Sequence, residues 1–282
     1  ADAGANAVVL TATDATGNIG TCESIVHINE DEDPVAVCQD ITVDLEDNGS
    51  VTIDGSDIDG GSTDNCGITE WTASPATFGC TDTTDNSVVL TVEDGSGNSD
   101  FCLATVTVED NIAPVAACQN ITVELDANGD ASISVIDVDN GSSLACGVTM
   151  TVSPSTFDCS DIGANVATLT VTANTSGNSD ICIAVVTVED NTPPVAVCQN
   201  QTAYLDNNGD ATVSAAGFDG GSFDACGTIA IAASPNTFEC DDIGDNIVNV
   251  SVFDGNGNVS SCIALATIAD TSAPVAVCND VT

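Results

Sequence analysis

The sequence predicts an all-β protein made of immunoglobulin-like β-sandwich repeats of about 80 residues set in tandem as a rod. Three observations carry this: one phrase returns at a fixed interval, apolar and polar residues alternate with period two, and turn residues separate the alternating runs. The phrase is VEDNTPPVAVCQN at 188–200. It reads VEDNIAPVAACQN at 108–120, INEDEDPVAVCQD at 28–40 and IADTSAPVAVCND at 268–280, so Cys38, Cys118, Cys198 and Cys278 stand 80 residues apart. The interval divides the 282 residues into a partial repeat over 1–31, full repeats over 32–111, 112–191 and 192–271, and the start of another over 272–282. A chain that begins and ends inside a repeat is expected to be an excerpt of a longer array.

Within 112–191 the alternating runs are NITVEL (120–125), ASISVI (131–136), VTMTVS (148–153), ATLTVTA (167–173) and ICIAVVTVE (181–189), rich in Val, Ile and Thr. Between them lie LDANGD, DVDNGSS, SDIGAN and NTSGN, which join Gly to Asn, Asp or Ser as turns require. No stretch has helical periodicity. In the last strand Cys182, Ala184, Val186 and Val188 share one side, as do Cys102, Ala104, Val106 and Val108 one repeat earlier. That side faces the core. In the first strand the parity changes between Cys38 and Ile41, which places a bulge or kink there. Phe78, Phe157 and Phe238 recur at one position and are read as core anchors.

Charge narrows the function. There are 44 Asp and Glu, no Lys, no Arg and one His, for a formal net charge of -44. Ion pairs with Lys or Arg cannot form, and nucleic acid and direct contact with anionic membrane are excluded as partners, because both depend on cationic side chains. Self-repulsion on this scale makes the folded array depend on salt or bound cations. Disorder is nonetheless not expected, since 43% of residues are apolar and the mean hydropathy is +0.21.

Fourteen cysteines supply staples for a unit whose core is small. A chain that enters a sandwich at one end and leaves at the other has its first and last strands parallel, which brings their opening cysteines together. This predicts Cys38 with Cys102, Cys118 with Cys182 and Cys198 with Cys262. Pairing Cys102 with Cys118 instead would have to span a strand of ~26 Å, against a Cα separation of at most ~7 Å. The four cysteines of each repeat then leave Cys66 with Cys80, Cys146 with Cys159 and Cys226 with Cys240. Cys22 and Cys278 have partners only outside the chain. On the chain-entropy model the long loops are worth roughly 4 kcal/mol and the short ones roughly 3 kcal/mol. Without C-x-x-C or paired His a thiolate metal site is not expected, and the disulfides imply an oxidising, extracellular location.

TVEDGSGNSDFCLATVTVED (91–110), SVFDGNGNVSSCIALATIAD (251–270) and PVAVC (34–38) resemble the hyalin repeat, or HYR, domain in every repeat. DNCGI (64–68), DACGT (224–228) and the SPxTFxC segments are similar to a variant found in long secreted and surface proteins of gliding and marine Bacteroidetes, gliding-motility adhesins among them. The resemblance implies an adhesive or architectural role at the cell surface. Asn174 departs from it, standing where Asp94 and Asp254 begin the late turn.

Catalysis finds no support: His27 is the lone histidine and recurs nowhere, and no Lys or Arg can act as clamp or nucleophile. The chain is expected not to be an enzyme. Trp71 and Met150 recur nowhere either. Calcium at the inter-repeat junctions is the one cofactor the residues suggest, because hard cations take carboxylate, Asn and carbonyl oxygens. At the first full junction the candidate ligands are Glu109, Asp110 and Asn111 with Asp44 and Asp47 of the first hairpin turn, facing the late turn Asn174–Asn178. At the second they are Glu189, Asp190, Asn191, Asp126, Asn128, Asp130 and Asp254. VEDNxxP resembles the calcium-binding linker of cadherins. The competing expectation is that these are solvated turns.

The function expected is a stiff, disulfide-stapled stalk or filament of an extracellular surface adhesin, serving adhesion or surface motility. Its partners are neighbouring repeats, other copies in a filament, and a surface or glycan ligand held by regions outside these residues. The alternative is that the repeats bind glycan or calcium themselves as ligand modules, although loops such as DGGSTDN (59–65) carry no aromatic platform. Having no Lys or Arg, the reduced and unfolded chain should survive trypsin intact by mass spectrometry, and any cleavage product would contradict the sequence.

Overall fold

A computed structural model describes residues 4–278. The chain packs as two compact units, one holding the chain up to Ala116 with Gly141–Met150 and Thr170–Ile181, the other Ala117–Asn140, Thr151–Leu169 and the chain from Cys182 onward. Repeat 112–191 therefore contributes to both.

In the first unit β1 (Gly4–Thr13) and β2 (Ile19–Ile28) form an antiparallel hairpin. Next come β3 (Ile41–Asp44), β4 (Ser50–Thr52), β5 (Ile68–Ser74), β6 (Thr77–Gly79), β7 (Asp85–Asp94) and β8 (Ser99–Glu109). They form a four-stranded sheet in the order β3-β8-β7-β5 and a two-stranded sheet of β4 and β6. Strands β3 and β8, the first and last of the repeat, are parallel, with Ile41 opposite Val106 and Asp44 opposite Glu109. Alternation does the work that periodicity predicts: Ala104, Val106 and Val108 are buried while Phe101, Leu103 and Glu109 are exposed. Phe78 of the smaller sheet closes the core against Ile58, Leu90 and Val106. Before β3 the chain makes only isolated bridges, Val35 to Thr63 and Cys38 to Asp59, and it pairs with β8 from Ile41 onward, so the parity change falls where its partner changes.

Repeat 112–191 supplies β9 (Ile121–Glu124), β10 (Asp130–Ser132), β11 (Val148–Ser153), β12 (Thr156–Asp158), β13 (Gly163–Ala173) and β14 (Ser179–Glu189). Within the second unit β14 pairs in parallel with β9, and β10 pairs antiparallel with β12. That unit also holds β15 (Gln201–Tyr204), β16 (Ala211–Thr212), β17 (Ala230–Ser234), β18 (Thr237–Phe238), β19 (Gly244–Phe253) and β20 (Val259–Ala269). The order β15-β20-β19-β17 beside β16-β18 reproduces the architecture of 32–111. Phe238, Phe218, Val250 and Ala266 share its core.

One expected strand is shorter than its alternation suggests. ASISVI pairs only as far as Ser132, and Val135–Val138 is a single helical turn. The cause is a capping box: the Asp137 carboxylate accepts from both the backbone N–H and the hydroxyl of Ser134, each at 2.7 Å.

Five disulfides are formed among the described residues. Cys38–Cys102, Cys118–Cys182 and Cys198–Cys262 staple opening to closing strands, with Cα atoms 5.8, 5.8 and 5.9 Å apart. The central cysteines correct the expectation. Cys80 bonds Cys146 and Cys159 bonds Cys226, so these bonds join one repeat to the next, while Cys66 and Cys240 are free. The pairs Cys66 with Cys80, Cys146 with Cys159 and Cys226 with Cys240 do not form, because nearness in sequence hides a strand's length. Cys66 precedes β5, beside the late turn that opens β8, whereas Cys80 follows β6 beside the first hairpin turn at the far end of β8. Seven residues of β5 separate the ends by roughly 20 Å.

The hairpin turns are cut to fit these bonds. Gly129 has φ +84°, and a Cβ on it would stand 2.5 Å from Cys159 Sγ and 3.0 Å from Cys226 Sγ. Gly49 has φ +77° and faces Cys80, Cys146 and Ala145 in the same way. Gly129→Ala should therefore destabilise the oxidised protein by about 1–3 kcal/mol in urea unfolding. Gly177→Ala, at φ +73° with open space around it, isolates the backbone part of that cost.

Candidate functional site

The junctions are built from three loops. The first is the late turn D-x-x-G-N between the two longest strands of a repeat. In 32–111, Asp94 folds back so that its Oδ1 accepts the N–H groups of Ser96 and Asn98, both at 2.8 Å. The Asn98 amide donates to Asp94 Oδ2 at 2.8 Å and to Glu30 Oε2 at 2.9 Å, which ties the turn to the second loop, the linker. The third is the D-x-C-G loop, where Asp64 Oδ1 accepts the Cys66 N–H at 2.7 Å. Asp64 Oδ2 is buried without a partner. One oxygen each of Glu30, Asp64 and Asp94 lies within 4.8 Å of the others.

The set returns 160 positions later as Asp190, Asp224 and Asp254, again within 4.8 Å. Asp254 Oδ1 accepts from Asn256, Gly257 and Asn258 at 2.7–2.9 Å. The Asn256 amide donates to Asp190 Oδ2 at 2.7 Å and the Asn258 amide to the Asp190 carbonyl at 3.0 Å. Asp94, Asp190 and Asp254 are each less than a tenth exposed. Between these two sites, the corresponding positions are Asp110, Leu144 and Asn174, so two of three acids are lost. There the Thr175 hydroxyl donates to Asp110 instead. The lone late turn of the leading hairpin shows the motif without a partner: Asp14 accepts from Thr16 and Asn18 and is fully exposed.

The carboxylates do not titrate alike. Burial opposes ionisation of Asp94, but the Asn98 amide, the Glu30 carboxyl and the N–H groups of Asn98 and Ser96 outweigh it and hold this acid well below the usual range. Glu30 is raised, chiefly by the neighbouring Asp94 carboxyl and despite the Glu32 N–H. Burial of Asp254 is likewise outweighed by the Asn258 amide and three backbone N–H groups, and its carboxyl is lowered.

Of the ligands expected from sequence, Asp190 and Asp254 are brought together and the others serve different ends. Asp110 is buried in the middle junction against Thr175. Asn111 donates to Asp44 Oδ1 at 2.8 Å and Glu109 Oε2 at 3.2 Å, bridging two like charges opposite each other in the parallel ladder. Asn191 does the same for Glu124 and Glu189. Asp126 Oδ1 accepts from Asn128 at 2.8 Å and Asp130 at 3.1 Å, which closes the first hairpin turn locally. Asp47 is exposed in the equivalent turn. These turns do reach the next repeat, but they meet its disulfide rather than its acids. Glu30, Asp64, Asp94 and Asp224 were not anticipated. The signal was there: the D-x-C-G Asp is present in 64–67 and 224–227 and replaced by Leu144 in the repeat that also carries Asn174.

The disulfides place the folded chain in an oxidising compartment. No described helix is long and apolar enough to cross a membrane. No protein-family model matches the sequence, and no curated protein is similar to it. Among solved structures, cadherin domains 1–5 of protocadherin gamma B2 align over 95% of this chain at 12% identity and a TM-score of 0.31, with this chain spanning 66% of their length. Titin I-band fragment I67–I69 aligns over 85% at 11% identity and a TM-score of 0.32, and is covered in full. An endo-fucoidan hydrolase of glycoside hydrolase family 107 aligns over 85% at 15% identity and a TM-score of 0.24, with 44% of its length covered.

A carboxyl lowered in the folded state contributes stability above its unfolded value, near 3.9, and loses it as pH falls through the folded value. With chelator present, the melting temperature should drop as pH is taken below about 4. Asp254→Asn should make that drop shallower.

Proposed function

We propose that the chain is the structural repeat region of an extracellular surface adhesin or filament, a stiff stalk that sets distance and bears load rather than performing catalysis. The observation that carries this reading is the second covalent connection across a junction. Cys80–Cys146 and Cys159–Cys226 each cross from one repeat to the next alongside the peptide linker. A single linker is a swivel; two separated connections resist both bending and rotation. Cys38–Cys102 and its two counterparts also shunt tension past each sandwich, leaving only the short run between closing and opening cysteines to extend. The HYR resemblance fits the same role and an anchorage at the cell surface. Pulling single molecules tests it. The oxidised array should lengthen without releasing whole repeats, whereas the reduced array should release steps of roughly 200 Å or more. Long steps from oxidised protein would overturn the stalk, and specific glycan binding by these repeats on an array would make them ligand modules instead.

Calcium is a second element of the proposal, supported by the two acidic triads. Two ligands of one ion at about 2.4 Å can stand no more than about 4.8 Å apart, and the oxygens of each set lie within that limit. The donors are hard oxygens, Asp64 Oδ2 lacks a partner, and no Lys or Arg exists to balance the charge. Glu30, Asp64 and Asp94 would hold one ion and Asp190, Asp224 and Asp254 another, each neutralising buried and half-buried carboxylates at a joint. The middle junction, with Leu144 and Asn174, would take none. Titration after chelation should give a Kd on the order of 10⁻⁴ to 10⁻³ M with a rise in melting temperature. Asp190→Asn with Asp254→Asn should remove one site and Leu144→Asp with Asn174→Asp should add one; neither heat nor a melting shift in the unaltered protein would dismiss calcium.

A further inference from the structure

The inter-repeat disulfide has two halves that the sequence repeats as a set. One is the cysteine that follows the short strand of the smaller sheet, Cys80, Cys159 and Cys240; the other is the cysteine of the x-x-C-G loop, Cys66, Cys146 and Cys226. Four of these six are bonded, always the first kind to the second kind of the following repeat. The two left over, Cys66 and Cys240, are of opposite kinds and both exposed. They keep the pose of their bonded counterparts. Cys240 Sγ lies 3.7 Å from the Gly209 carbonyl oxygen, as Cys159 Sγ does from that of Gly129. Gly209 has φ +89°, and a Cβ there would stand 2.6 Å from Cys240 Sγ, repeating the close fit of Gly129. On the other side the Cys66 N–H donates to Asp64 Oδ1 at 2.7 Å, matching the Cys226 N–H and Asp224 Oδ1 at 2.7 Å. Neither thiol is an isolated surface cysteine: each occupies half of a bond that the same chain completes twice.

We propose that Cys66 and Cys240 are complementary joining sites, each made to bond the other kind of half-cystine in an adjoining repeat. The adjoining repeat can belong to a second copy of this chain or to a longer polypeptide; the chemistry is the same. Oxidised glutathione suffices as oxidant. One cysteine thiolate attacks it, a mixed disulfide forms and one glutathione thiolate leaves; the second cysteine thiolate then attacks the cysteine sulfur of the mixed disulfide and expels the other glutathione as thiolate. Two thiols become one disulfide, two protons are released to solvent, and one glutathione disulfide becomes two glutathione thiolates or, after proton uptake, thiols. The inference concerns which sulfurs join, and it holds whether or not the array serves as a stalk.

The test uses the full chain with Cys22→Ser and Cys278→Ser, which removes the other two free thiols, incubated in a glutathione redox buffer. Denaturing, non-reducing electrophoresis should show a ladder of linear multimers, and peptide mapping should find Cys66 joined to Cys240. Adding Cys66→Ser or Cys240→Ser should leave monomer, while mixing those two variants should yield one heterodimer. In protein recovered as a longer chain from its source, the arm that separates the two origins is size: both cysteines would be bonded within a monomer if flanking repeats supply the partner. Homotypic Cys66–Cys66 or Cys240–Cys240 links as abundant as the mixed one, or thiols that end capped by glutathione, would overturn the proposal.

Discussion

The cystine network is the constraint on which the rest depends. The cores are built of Val, Ile, Leu and Ala with only one or two phenylalanines, Phe78 in 32–111 and Phe218 with Phe238 in 192–271. A core of that size leaves a module near the margin of stability. Bonds closing loops of 64, 66 and 67 residues each restrict the unfolded chain by about 4 kcal/mol on the entropic account. That is a large fraction of a typical folding free energy of ~5–15 kcal/mol. The network also explains details that look incidental, such as glycine at 49, 129 and 209, where a side chain would enter the space of a sulfur.

A second constraint is the lack of any Lys or Arg. Carboxylates in most proteins find cationic partners; here they turn to backbone N–H groups and Asn amides. Asp14, Asp94, Asp126, Asp206 and Asp254 each close a turn this way, and each is held below the ordinary carboxylate range as a result. Where such turns meet a linker and a D-x-C-G loop, three acids converge, and the sequence has no Lys or Arg to neutralise them. Negative charge is thus concentrated at particular joints, where the oxygens of three acids lie within 4.8 Å of one another. The middle junction has Leu144 and Asn174 in place of two of these acids, and the Thr175 hydroxyl donates to the third, Asp110.

Much of the architecture was legible in the sequence because it rests on local periodicities. Alternation in 181–189 and 101–108 identified the strands and their buried faces, and the position of Cys38 and Cys102 at the opening of parallel strands follows from the chain entering and leaving at opposite ends. The shortening of 131–136 was less visible, since a Ser134–Asp137 capping box competes with alternation over the same residues.

What the sequence determined by itself was therefore the repeat, the strand content, the inward face and the charge, all of which are properties of neighbours along the chain. What only the tertiary structure decided was which ends of which strands lie together. Cys66 and Cys80 are close in sequence and separated by the length of β5, whereas Cys80 and Cys146 are 66 residues apart and bonded. Asp64 and Asp224 belong to the acidic sites for the same reason: a loop's company is set by the end of the sandwich it occupies, and a strand of a few residues is enough to move it there.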